Sequence, residues 1–423
     1  MTPAADTSSG CWHRAGWVVV DPATIYPNAM VHIRAGRITA VQPRHAVGRH
    51  SGRRIGPCRV IDHGPGAIVP ALINAHTHLE LCALKGKLPV DRGFATWVRH
   101  LIQYRETLGS EQLAAGILSG IAELTAAGCG AIGEIATLGR SRAPFRQSSL
   151  AGIWFREWLG HPVTGISGAA GDSAETLFDV DTLPSAAIHR ESLAGHAPHS
   201  TSPVLLQQLK QVTRRAALPF SIHVAESDAE SEFIRTKNGP WADLLTARRI
   251  DFSHWPLPAP SPVVYLDRLN LLDTGTLAVH ALRADANDFR ILARRGTTIA
   301  VCPRSNQRLH QRLPDLDRML AAGLTLCLAT DSLASCDSLS LFDEMAFTAR
   351  HFPALSPRTL FAMATINGAR ALGLEKICGR LAPGCRADGL YLELAAATPD
   401  AVLTQIVTHR PIRPVYRFAT HLS

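Results

Sequence analysis

Two histidines one residue apart, His76 and His78, end the apolar run PALINAHTHLEL (70–81), and Glu80 follows two residues later. If that run is a β-strand, its period of two points both imidazoles to the same side, where two nitrogens can hold one metal ion. Three later apolar runs end in the same way. His223 and Glu226 close PFSIHVAES, His280 closes TLAVHAL, and Asp331 closes TLCLATDSL. Singly, each has a plainer reading: an H-x-H pair arises by chance, His223 could be a hydrogen-bonded core histidine, and Asp331 could cap a helix. Their recurrence at four strand ends is what points to a metal site.

Such an arrangement needs a scaffold that brings several strand ends together. From 71 to 375, eight short apolar runs alternate with helical patterns such as EQLAAGILSGIAELTAAG and NDFRILARRG. The remaining runs are AIGEI, GIWFREWLG, SLAGHAPHS and TIAVCPRSN. Eight alternations predict an α/β chain with a parallel (β/α)8 barrel, whose strands are apolar on both faces and whose active site lies at their C-terminal ends. Residues 1–70 read as β-like runs with turn signals, including a hairpin turn at the AGR between VHIR and ITAV. Residues 376–423 return to β-like runs, so the two terminal segments are expected to build a small β-sandwich domain beside the barrel. The basic stretch 38–60 reads as an exposed loop.

The bulk composition narrows the function. With 46% hydrophobic and 18% charged residues, the chain has enough apolar matter for a large core. The formal charge of +8 is scattered arginine without a dense basic stripe, so no nucleic-acid partner is expected, although an anionic substrate would be favoured. The cysteines are odd in number and include no C-x-x-C pair, which suits free thiols in a reducing compartment. No signal-peptide core and no membrane-length apolar run is present, and a cytoplasmic location follows as the expectation. A homo-oligomer is left open.

PALINAHTHLEL, SIHVAES, AVHAL, CPRSN and LATDSLAS, in that order, resemble the successive signatures of the amidohydrolase superfamily, and GRLAPGCRADGLYLEL resembles its return to the small β domain. H-x-x-E and CPRSN place the resemblance in the branch of deaminases and chlorohydrolases that act on nitrogen heterocycles. The resemblance makes His76, His78, His223 and Asp331 the ligands of one divalent metal, with zinc expected and iron the alternative, and leaves an open position for water. It also makes Asp331 a proton acceptor, Glu226 the acid–base residue at a ring nitrogen, and His280 the residue that polarises the attacking water. No lysine stands at a strand end where a carbamate could bridge a second metal; Lys85, Lys87 and Lys210 lie elsewhere. His78-Leu79-Glu80 also matches half of the cytidine-deaminase zinc signature, but the thiolate half is absent.

For the substrate, GHAPHS resembles the branch's H-A-P-Y segment. His196 is thereby implied as a contact, with His199 where tyrosine is usual, and Cys336 stands where asparagine is common. Arg156 of FREW and Glu106 are implied as contacts to a sugar or its attachments, the alternative being an ordinary surface ion pair. Glu80 is either a pocket residue or a partner of a ligating histidine. His310 and seven other histidines lie in polar stretches and are given no role. Within the branch, HTHLELCALKGKLPVDRGFATWVRHLIQYR and DSLASCDSLSLFDEM look most like the aminodeoxyfutalosine deaminases of a menaquinone route. The alternatives are S-adenosylhomocysteine/methylthioadenosine, guanine, cytosine and triazine enzymes, and hydrolases of cyclic amides.

Overall fold

The computed structural model describes residues 10–43, 59–90, 93–160, 188–408 and 416–418. Before the barrel come β1 (Cys11–Val19), β2 (Ile25–Arg34), β3 (Arg37–Pro43), β4 (Arg59–Asp62) and β5 (Ala67–Pro70). The barrel strands are β6 (Leu72–Thr77), β7 (Cys129–Ala136), β8 (Ala151–Trp158), β9 (His189–Gly195), β10 (Phe220–Val224), β11 (Thr276–His280), β12 (Thr298–Val301) and β13 (Thr325–Leu328). Two more, β14 (Gly389–Leu392) and β15 (Tyr416–Arg417), follow it.

Strands β6 to β13 pair in sequence order, all parallel. The circle closes where the His78 amide donates to the Asp331 carbonyl at 3.0 Å and the Asp331 amide donates to the His76 carbonyl at 3.2 Å. His76 on the first barrel strand, His78 just beyond it and Asp331 just beyond the last strand are thus brought together by the closure itself. Side-chain alternation divides the apolar residues of β8 cleanly. Ile153 and Phe155 pack with Leu277, Val279, Ala300 and Cys327 of other strands, while Trp154 packs with Ile117 and Leu124 of the helix Ser110–Ala126. Each fully buried large side chain of this kind contributes about 1.5–3 kcal/mol relative to its exposed state.

The terminal segments form a separate seven-stranded sheet in the order β15-β14-β5-β1-β2-β3, with β4 on β1. The two terminal segments thus build the separate small β domain expected of them. The β2–β3 hairpin turns at Ala35 and Gly36, with φ of 48° and 68°, the left-handed pair that a tight hairpin requires. Of the stretch 38–60 read as a loop, residues 38–43 and 59–60 are strand, and 44–58 lie outside the described residues. After β12, Pro303–His310 forms a helix with proline in its first turn. Among the described residues no helix is long and apolar enough to cross a membrane.

Candidate active site

At the C-terminal end of the barrel, His76 Nε2 lies 3.1 Å from His78 Nε2 and 3.3 Å from His223 Nε2. Asp331 Oδ1 is 3.8 Å from His76 Nε2 and 3.7 Å from His78 Nε2. A tetrahedral site with nitrogens about 2.0–2.1 Å from zinc has edges of about 3.3–3.4 Å, so this spacing suits a single ion. Tautomers and protonation agree. The His223 Nδ1–H donates to the His196 carbonyl at 2.8 Å, which leaves Nε2 bare for an ion. Burial, and then the neighbouring histidines, push His76 well below its ordinary pKa, and burial lowers His78. Both therefore stay in the neutral form that ligates.

Asp331 is held on its other oxygen: the hydroxyls of Ser305 and Ser335 donate to Oδ2 at 2.6 and 2.9 Å, leaving Oδ1 towards the imidazoles. The backbone around the site is unusual. Ala225, His280, Ala281 and Asp331 have φ of 51°, 73°, 48° and 60°, left-handed values that cost non-glycine residues about 1–3 kcal/mol each and recur at active sites. On β11, Ala278 packs outward, and the left-handed turn at His280 breaks the alternation and admits its ring to the site. The Asn306 amide lies 3.2 Å from His280 Nδ1, and His280 Nε2 lies 3.7 Å from Glu226 Oε1.

Glu226 follows β10 on a turn gripped by Glu230, whose carboxylate accepts the Ala225 and Glu226 amides at 2.9 and 2.8 Å. Burial alone would raise the Glu226 carboxyl, but the surrounding His280, His310 and His223 outweigh it and hold it well below the usual carboxylate range. Glu157, at the end of β8, behaves alike. Burial opposes its ionisation, and His196, His223 and His78 favour it more strongly. The Thr137 hydroxyl donates to Glu157 Oε2 at 2.6 Å, while the buried Oε1 has no hydrogen-bond partner.

These groups face a cavity of about 420 Å³ whose lining includes His78, His196, His223, Glu226, His280 and Asp331. Its walls include Trp97 and Trp241, and Arg105, Glu106 and Arg248 reach it from the partly exposed to exposed surface. A larger cavity of about 570 Å³ shares Phe94 and Trp241 with it but contains none of the convergent metal-site residues, so the chemistry belongs to the smaller one.

Several expected site residues need correction. Glu80 is 4% exposed and does not line the cavity; its oxygens accept the backbone amides of Leu138 at 2.6 Å, Arg140 at 2.5 Å and Ser141 at 3.2 Å. It holds a loop. Arg156 is exposed, with its guanidinium 5.2 Å from the Trp158 ring, because strand alternation turns it outward and its neighbour Glu157 inward. His310, given no role, has its Nε2 3.1 Å from Glu226 Oε1. His196 and Glu106 do line the cavity. His199 lines it too, stacked on Trp241 with ring centroids 4.1 Å apart, and Cys336 does not.

A parallel barrel with imidazoles and carboxylates gathered at one mouth defines a class of hydrolase scaffold. Residues 67–416 match the Amidohydrolase family, and the chain belongs to it. A 5-methylthioadenosine/S-adenosylhomocysteine deaminase of Nitratidesulfovibrio vulgaris (strain DP4) is 31% identical over 416 residues, covering 95% of this chain and 84% of the relative. The aminodeoxyfutalosine deaminase of Deinococcus radiodurans is 30% identical over 333 residues, covering 76% of this chain and 77% of the relative. Among solved structures, the aminofutalosine deaminase of Helicobacter pylori superposes with a TM-score of 0.79 over 97% of this chain and 98% of its own, at 21% identity, a likeness of fold.

Proposed function

We propose that the chain is a metal-dependent hydrolytic deaminase acting on the adenine ring of a nucleoside with a charged 5′ substituent. Water replaces the exocyclic amine, giving the hypoxanthine counterpart and ammonia. The observation that carries this reading is the convergence of His76, His78, His223 and Asp331 beside Glu226 and His280 in one cavity. A divalent ion held by the three imidazoles and Asp331, zinc by the borderline character of the donor set, would supply water acidic enough to ionise near neutral pH.

This chain's residues do the rest. His280 orients the water through Nε2, and Asp331 Oδ1 accepts one of its protons. Glu226 is ionised at rest, so it must take a proton before it can give one. It collects the second water proton and passes it to the ring nitrogen beside the reacting carbon. The proton on Asp331 then goes to the departing amine, which balances the reaction at one water consumed and one ammonia released. His196, Glu157 and the exposed Glu106 line the same cavity and are available to contact the nucleoside.

The surface arginines support the choice of substituent. Arg105 and Arg248 line the cavity and make no ion pair among the described residues. They suit a carboxylate, which aminodeoxyfutalosine and S-adenosylhomocysteine carry and 5′-methylthioadenosine lacks. The relatives' names include both charged candidates, together with 5-methylthioadenosine. Ammonia release should be assayed with these three nucleosides, adenosine, guanine, cytosine and a triazine. Turnover of the carboxylate-bearing nucleosides above all others is expected; preference for a free base or a triazine would overturn the reading.

A further inference from the structure

The helix Pro303–His310 stands behind the catalytic groups, and three of its side chains reach them. Ser305 donates to Asp331 Oδ2 at 2.6 Å, Asn306 lies 3.2 Å from His280 Nδ1, and His310 lies 3.1 Å from Glu226 Oε1. At 100° per residue these three positions fall within an arc of about 140° on the helix, so one face addresses all three groups. We infer that His310 is a positioning residue for the reaction: its Nε2–H fixes one oxygen of Glu226 and leaves the other free for the substrate. This inference rests on the acid–base role proposed above for Glu226.

The geometry supports more than proximity. The His310 side chain is 3% exposed, and its ring packs on Phe94 with centroids 4.6 Å apart, so Nε2 cannot easily turn elsewhere. Glu226 Oε1 has a second imidazole near it, His280 Nε2 at 3.7 Å, a separation too long for a hydrogen bond. That gap matters. His280 must spend its Nε2–H on the attacking water, and a Glu226 carboxylate without His310 would swing to close the gap and take that proton donor for itself. His310 therefore keeps two catalytic groups apart while holding one of them. Either the neutral imidazole with its proton on Nε2 or the imidazolium can make this bond, so the role does not require His310 to titrate. Nor does it require contact with the substrate, since His310 lines the adjoining cavity and not the one that holds Glu226.

The test uses the metal-loaded full chain and whichever nucleoside the wild type deaminates. His310→Phe keeps a flat buried ring and removes the donor. It should lower kcat by about ten- to a hundred-fold, the usual worth of a hydrogen bond to a charged group, with KM and bound metal little changed. His310→Gln, long enough to place an amide N–H at Oε1, should restore most of the rate; His310→Asn, shorter by one carbon, should not. Wild-type kcat in the Phe variant overturns the inference, as does a loss confined to KM. If the Phe variant does not fold, Gln and Asn carry the test alone, and equal rates in those two overturn it. Absence of turnover in the wild type on every nucleoside would instead overturn the functional reading, a separate outcome.

Discussion

Replacing Glu80 with alanine should loosen a loop and leave substrate affinity nearly intact. Its carboxylate accepts three backbone amides, from Leu138, Arg140 and Ser141, from a position 4% exposed. Each amide left without an acceptor costs about 1–3 kcal/mol, so a rigid loop would lose about 3–9 kcal/mol. Leu138 and Arg140 are exposed, however, and water can serve their amides; only Ser141 is buried. A net loss of about 2–4 kcal/mol follows. At an unfolding entropy of about 2.1 cal/mol/K per residue, a chain of this size should melt about 2–5 °C lower. Glu80→Gln keeps one carbonyl acceptor and should fall between. Thr137, next to the released loop, holds Glu157 in the cavity, so kcat should drop a few-fold while KM moves little. Thermal denaturation and steady-state kinetics on the three proteins decide the matter. An unchanged melting temperature with a KM raised tenfold or more would refute the loop role and make Glu80 a substrate contact.

Other outcomes follow from the same geometry. Glu226→Gln should cut kcat by about 10²–10⁴-fold while metal analysis shows the ion still bound, because Glu226 lies outside the ligand set. Ser305→Ala with Ser335→Ala frees Asp331 Oδ2 and should weaken metal affinity about 10–100-fold, measured by competition with a chromogenic chelator. Arg105→Ala with Arg248→Ala should raise KM for a carboxylate-bearing nucleoside by about 2–10-fold, the range for exposed charge pairs, and leave 5′-methylthioadenosine unchanged. Raising ionic strength should have the same selective effect.

The barrel was legible because its strands are short and apolar on both faces, and four of them are closed by chemically conspicuous residues. His76, His78, His223, His280 and Asp331 announce themselves by type and place. What escaped depends on contacts far apart in the chain or on side-chain parity. Glu80 meets amides some 60 residues away, and nothing local marks the loop that folds over it. The choice between Arg156 and Glu157 was readable in principle: Ile153 and Phe155 face the barrel interior, and alternation carries Glu157 to the same side. His310 carries no local signal, since it lies in a polar stretch away from any apolar run; the helix Pro303–His310 is what places it on the face of Ser305 and Asn306. The pairing order of the terminal strands was not legible, because apolar alternation fixes which face is buried, not which strand pairs with which.

Deamination should depend on an ion at His76, His78, His223 and Asp331. The chelated protein should be titrated with zinc while ammonia release is followed with aminodeoxyfutalosine and S-adenosylhomocysteine. Activity towards at least one of them should rise in proportion to zinc and saturate at a single ion per chain, and His223→Ala should abolish both binding and turnover. Turnover that survives complete metal removal, or no ammonia from either nucleoside at any zinc loading, would contradict it.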